Sequence, residues 1–235
     1  MTTEGRPQFA VIAAGAMGSA VAKRLTSAGC TVYTDLNGRS EATQRRAVDA
    51  RMIDAPLDEI VIKANWILSI LPPRDAVSFA EKVQGAVEKW GKEARIKPLV
   101  FADCNAVSPT TVKQIARILA GTGIKFIDAG IIGGPPKDSY DPTFYASTAA
   151  EDRDTLDAFV ALSKYGLKIS PLTGEGASVG DASALKMSYA VSSVPFLMQA
   201  WQKVEWHVKG ISKGTTGLYT TMILGKRNVD DAVKT

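Results

Sequence analysis

The residues most able to do chemistry sit near the start of the chain. The run Ala13-Ala14-Gly15-Ala16-Met17-Gly18 follows a short apolar stretch and opens a helical pattern. It is a G-x-G-x-x-G turn with alanine in the first glycine position. Gly15 lets the backbone approach a pyrophosphate, and Gly18 lets a helix pack tightly against a strand. The backbone N–H groups of Ala14, Ala16 and Met17, with the positive end of the helix dipole, are then available to phosphate oxygens. Seventeen residues after Gly18 comes Asp35, a carboxylate placed to accept from a ribose diol, though slightly short of the usual spacing. Arg39 and Ser40 follow. A guanidinium and a hydroxyl there suit a ribose 2′-phosphate. The residues therefore point to NADP, with NAD as the alternative if Asp35 dominates.

The surrounding elements must hold this turn. Phe9–Ala13 reads as a buried strand, and Met17, Ala20, Val21 and Leu25 fall on one helix face. Gly29 closes that helix, and Thr31–Asp35 reads as a second strand. Strand-like runs recur at Trp66–Leu71, Leu99–Ala102, Lys125–Asp128 and Thr143–Ser147, separated by helical stripes. Ser108 is an N-cap, with Pro109 in the first helical position. This alternation predicts a Rossmann-type, doubly wound, mostly parallel α/β sheet over residues 1–175. A linker near 171–180 and a short, truncated, all-helical region over 176–235 are expected to follow.

Composition narrows the function classes. The chain has 235 residues, a formal charge of +4, two cysteines and a single histidine, His207. No multi-histidine metal site or disulfide scaffold can be built, so no metal is expected, and the cysteine usage suits the cytoplasm. The basic residues are scattered, which disfavours nucleic acid. No apolar run is long enough to cross a membrane.

Four further segments extend the pattern into a resemblance. GAMGSAVAKRLTSAG at 15–29, Ser69-Ile70-Leu71-Pro72, DCNAVSP at 103–109 and DAGIIGG at 128–134 stand in order along the chain. Lys186 follows Gly180 by six residues. Together they resemble the 6-phosphogluconate dehydrogenase and β-hydroxyacid dehydrogenase superfamily. The fit is narrower to a subgroup whose second domain is described as phosphogluconate dehydrogenase C-terminal-like. The resemblance implies a catalytic Lys186, acting as general base or acid on a substrate hydroxyl. It places Leu71, Pro72 and Asn105 along the cofactor, and Ile132, Gly133 and Gly134 on a small, carboxylate-bearing substrate, with full-length relatives forming homodimers. Three departures accompany it. The family serine is Ile132, its Ser-Thr pair is Asn105-Ala106, and the polar companions of its lysine are Tyr189 and Ala190. Tyr189 is expected to supply a phenolic donor in their place. The implied function is an NADP-dependent oxidoreductase acting on a small hydroxy acid, impaired if the second domain is incomplete. A non-catalytic NAD(P)-binding protein and an imine reductase stay open beside it.

Residues 191–209 (VSSVPFLMQAWQKVEWHVK) interrupt this resemblance. Without them the chain reads ASALKMSYAGISKGTTGLYTTMIL. Two origins are open. One is a translated intron, because Val191-Ser192 can be encoded as a splice donor and Lys209 can end in AG. The other is a genuine amphipathic insert, with Val194, Leu197, Met198, Trp201, Val204 and Val208 at helical spacing. His207 falls inside it and is assigned no chemistry.

Overall fold

The computed structural model describes residues 5–90, 98–174 and 176–192. Nearly all of the 191–209 segment, and with it most of the proposed helical region, lies outside the described residues.

The first six strands are β1 (Gln8–Val11), β2 (Thr31–Thr34), β3 (Ile53–Asp54), β4 (Trp66–Ser69), β5 (Val100–Asp103) and β6 (Lys125–Ile132). They run parallel in the order β3-β2-β1-β4-β5-β6. That is a Rossmann sheet, and its strand order reverses between β1 and β4. Two more strands extend the β6 edge: β7 (Thr143–Ser147) pairs antiparallel with β6, and β8 (Lys168–Pro171) pairs parallel with β7.

Both faces of the sheet are buried, so the inner strands are apolar on alternate residues in both directions. Phe9, Val11, Trp66 and Leu68 face one layer, where they meet Val21 and Leu25 of α1 (Ala16–Ser27) and Phe159 of α6 (Arg153–Val160). Ala10, Ile67 and Phe101 face the other. There they meet α3 (Leu57–Lys63), α4 (Ala76–Trp90) and α5 (Pro109–Leu119). Phe9, Phe101, Phe144 and Phe159 are fully buried, and each such ring contributes roughly 1.5–3 kcal/mol.

The sequence reading and the structure agree closely at the glycine turn, in α1 and in α5. Ser108 accepts the Thr111 N–H at 3.1 Å, with Pro109 beginning the helix. Gly29, with φ +78°, follows the C-cap Ala28 as expected of a helix terminator. Elsewhere they differ. Strand β6 runs on to Ile132, so Ile131 and Ile132 belong to a strand and not to a glycine loop, because β7 pairs with them. Strand β8 lies within 168–171, where the sequence reading placed only the approach to a linker. The short helices α2 (Glu41–Asp49) and α3 were also missed. α2 buries only Ala47, which leaves no apolar stripe to read.

The final described helix, α7 (Asp181–Ser192), packs on β6 and β7 beside α5. Among the described residues no helix is long and apolar enough to cross a membrane.

Candidate functional site

The turn after β1 lies where the strand order reverses, the position at which open α/β sheets form a crevice. Gly15 is the N-cap of α1 and has no side chain to satisfy the helix N–H groups. A methyl group built on Gly15 would meet nothing within 4 Å. The turn is therefore open on the side from which a phosphate would come. Gly18 differs: a methyl group there would sit 2.1 Å from the Ala13 carbonyl oxygen and 3.2 Å from Val11. Its absence is what lets α1 lie against β1. Ala14 is fully buried, and Ala16 and Met17 begin the helix.

One residue that the sequence reading passed over secures this turn. Arg46 of α2 donates through Nε to the Ala14 carbonyl at 2.8 Å and through Nη2 to Thr43 Oγ1 at 3.1 Å. It ties α2 to the glycine turn. At the end of β2, Asp35 accepts the Asn37 N–H at 3.0 Å, which holds the next loop in an Asx turn. Ser40 caps α2, accepting from Thr43 N. Arg39 is exposed, and among the described residues its guanidinium has no partner. Asp35, Arg39 and Ser40 thus share one loop beside the crevice.

On the opposite rim, the loops after β4 and β5 are joined through Asn105. Its Oδ1 accepts the Leu71 N–H at 2.6 Å, and its Nδ2 donates to Ser69 Oγ at 2.9 Å and to Asp103 Oδ1. Asn105 is 3% exposed, so these bonds are made away from water. The side chain shapes the Leu71-Pro72 loop from within.

The chemistry collects where α7 meets the sheet. Asp103 and Asp128 end up side by side in register on β5 and β6, and both are buried. Asp128 accepts four hydrogen bonds. Three come from Gly180 N at 3.0 Å, Ser183 N at 3.0 Å and Ser183 Oγ at 2.7 Å, and the fourth from Ser147 Oγ at 3.3 Å. It therefore caps the start of α7 from a strand. Gly130, two residues on, has no side chain to obstruct the helix. A methyl group there would lie 2.8 Å from the Ala182 carbonyl oxygen and 3.1 Å from Lys186 Cβ. Lys186, one turn beyond Ala182, consequently faces the sheet, and its Nζ donates to the Cys104 carbonyl at 3.3 Å.

The electrostatics of this cluster are unusual. Burial lowers the proton affinity of Lys186 below the ordinary lysine range, against the pull of Cys104, Asp103 and Asp128. Burial and the Asp128 carboxylate push Asp103 up to about 7, against the two Asn105 donors. Burial also raises Asp128, against its hydrogen-bond donors. A lysine of depressed basicity beside a carboxyl of raised pKa is an acid–base arrangement. Neither Asp103 nor Asp128 was given a role from sequence. The available signal was a carboxylate inside an otherwise apolar parallel strand.

The segment assigned to substrate lies just past this cluster. Gly133, with φ +123°, would clash with the Tyr140 hydroxyl if it carried a methyl group, whereas Gly134 would meet nothing. Ile132 ends β6, and Gly133 and Gly134 follow it directly. Tyr189 is 56% exposed, one turn beyond Lys186.

Known proteins show the same architecture. The profile of the NAD binding domain of 6-phosphogluconate dehydrogenase matches residues 8–174. A mitochondrial 3-hydroxyisobutyrate dehydrogenase from Drosophila melanogaster is 24% identical over 136 residues, 57% of this chain and 40% of that protein. The chain thus matches less than half the length of this curated relative. Among solved structures, a conserved protein of unknown function, described as structurally similar to 3-hydroxyacid dehydrogenases, superposes with a TM-score of 0.66. It shares 24% identity, over 86% of this chain and 71% of that one. An imine reductase variant from Myxococcus stipitatus, in complex with NAD+, superposes with a TM-score of 0.63 at 20% identity, over 98% of this chain and 76% of that one.

Proposed function

Because the chain belongs to the family of the NAD binding domain of 6-phosphogluconate dehydrogenase, we propose that it is an NADP-dependent oxidoreductase of the β-hydroxyacid dehydrogenase type. Its substrate is a small hydroxy acid. The observation that carries this reading is the half-buried amine of Lys186, held over the ends of β5 and β6 by a helix that Asp128 caps.

The cofactor site fits the group. Gly15 leaves room for a diphosphate, the uncapped N-terminus of α1 offers N–H donors, and the exposed Arg39 offers a cation to a 2′-phosphate. A bound nicotinamide would supply the hydride acceptor. The chain's own residues do the rest. Lys186, kept from full basicity by burial, takes the proton from the substrate hydroxyl. The backbone N–H groups of Gly133 and Gly134 orient the substrate carboxylate. Asn105 holds the Leu71 loop against the cofactor side of the crevice.

Two titrations and one variant test this. NADPH and NADH are each added to the protein while nucleotide fluorescence is followed. NADPH is expected to bind more tightly. Tighter NADH binding would assign the ribose contact to Asp35, and no binding below millimolar concentration by either would overturn the dinucleotide reading. Lys186→Met should keep nucleotide affinity and lose turnover of hydroxy acids. Cofactor binding with no turnover in the unmodified chain would establish a non-catalytic binding protein instead.

A further inference from the structure

The two carboxylates beneath α7 are not equivalent. Both oxygens of Asp128 are engaged by donors. Asp103 is 1% exposed, and its Oδ1 accepts from Asn105 N at 3.3 Å and from Asn105 Nδ2, yet among the described residues its Oδ2 has no hydrogen-bond partner. A buried carboxylate oxygen without a donor is costly, and a protonated one is much less so. The residue after Asp103 is Cys104, whose carbonyl receives the Lys186 ammonium. The orphaned oxygen and the lysine therefore belong to one desolvated cluster.

We propose that Asp103 is a positioning residue that shares one proton with Lys186. While Oδ2 carries the proton, the Lys186 amine is left free; when Asp103 ionises, its charge returns the proton to the lysine. In this exchange an N–H bond of the ammonium breaks as an O–H bond forms at Oδ2, and the net charge of the pair stays zero. Direct contact is not required, because in a poorly solvated site each charge shifts the proton affinity of the other. The charged group acting on the pair is Asp128 from β6. Burial pushes the Cys104 thiol well up, so it stays neutral and contributes no charge at working pH. Lys113 of α5 lies against the Gly180 turn at the start of α7. The raised proton affinity of Asp103 agrees with this geometry. The proposal deepens the reading of Lys186 as the proton-transferring group and rests on it.

The test measures the lysine directly and requires no turnover. The full chain and its Asp103→Asn variant are pulse-labelled with acetic anhydride from about pH 5 to about pH 9, and acylation of Lys186 is read by peptide mass spectrometry. Asparagine keeps the shape and mimics the neutral acid. In the unmodified chain the Lys186 profile should carry an inflection near the ionisation of Asp103. In Asp103→Asn that inflection should vanish, and at about pH 8 labelling should be about threefold faster or more. Superimposable profiles would overturn the proposal. If Asp103→Asn does not fold, carboxyl carbon NMR of the unmodified chain and of Lys186→Met decides. Loss of the cation should move the Asp103 midpoint upward, and an unmoved midpoint would overturn the coupling. A chain that binds nucleotide but oxidises nothing gives the same labelling answer, so failure of the functional reading is separable from failure of this one.

Discussion

The buried carboxyl of Asp103 makes a quantitative demand on folding stability. Its pKa is about 7 in the folded chain against 3.8 for the ordinary group. The folded state therefore holds this proton over a range in which the unfolded chain has released it. Stability from this group is fully present below the unfolded value and is lost as pH rises through the folded one. Integrating proton binding between about pH 5 and about pH 8 gives a loss of about 2–3 kcal/mol. For a domain of this size that corresponds to a fall of about 5–10 °C in Tm. Asp128 is also raised and contributes in the same sense. Lys186 is lowered, so its contribution has the opposite sign: it is present above the unfolded lysine value and lost as pH falls through the folded one. Asp103→Asn removes the first of these slopes and leaves that of Asp128, while loss of the Asp103 charge lowers Lys186 further. Urea unfolding at several pH values, followed by tryptophan fluorescence, measures it; the buried Trp66, packed 5.6 Å from the Phe159 ring, is a suitable reporter. The variant should lose about 2 kcal/mol less than the parent chain over this interval. Parallel stability curves for the two proteins would show that Asp103 is ionised throughout and would refute the argument.

Four substitutions examine the positioning elements. Gly15→Ala meets nothing among the described residues and should change stability by less than about 1 kcal/mol while weakening nucleotide binding. Gly18→Ala drives a methyl group into the Ala13 carbonyl and should cost about 1–3 kcal/mol by urea unfolding. Gly130→Ala pushes against Ala182 and Lys186 Cβ, so turnover should fall about tenfold or more at nearly unchanged nucleotide affinity, measured by steady-state kinetics and fluorescence titration. Asn105→Ala strips Ser69, Leu71 and Asp103 of a buried partner; it should cost about 1–3 kcal/mol and weaken nucleotide binding through the loosened Leu71 loop.

The cofactor half of the site was legible because its signals are local. A strand, a glycine turn and a helix lie within about twenty-five residues, where chain connectivity alone places the turn at the helix start. Gly15 and Gly18 carry their physical reasons in their residue type, and Ser108-Pro109 announces a helix start wherever it occurs. The polar helix α2 was invisible by the same criterion, since one buried alanine makes no stripe, and Arg46 was invisible with it.

The acid–base half could not be read that way. Lys186 was singled out by resemblance, while Asp103 and Asp128 stood in quoted motifs with no chemistry attached. What gives them chemistry is contact between distant residues. Lys186 reaches a carbonyl 82 residues away, and Ser183 bonds a carboxylate 55 residues away. Gly130 matters only because a helix from the far end of the described chain lies on it. A proton affinity is set by burial and by neighbouring charges, and neither is a property of a residue's place in the chain. The sequence alone determined that a glycine turn joins a buried strand to a helix, and which elements carry it. Tertiary packing decided that two carboxylates and a lysine share one poorly solvated cluster, because only the folded chain brings β5, β6 and α7 together and shields their side chains from water.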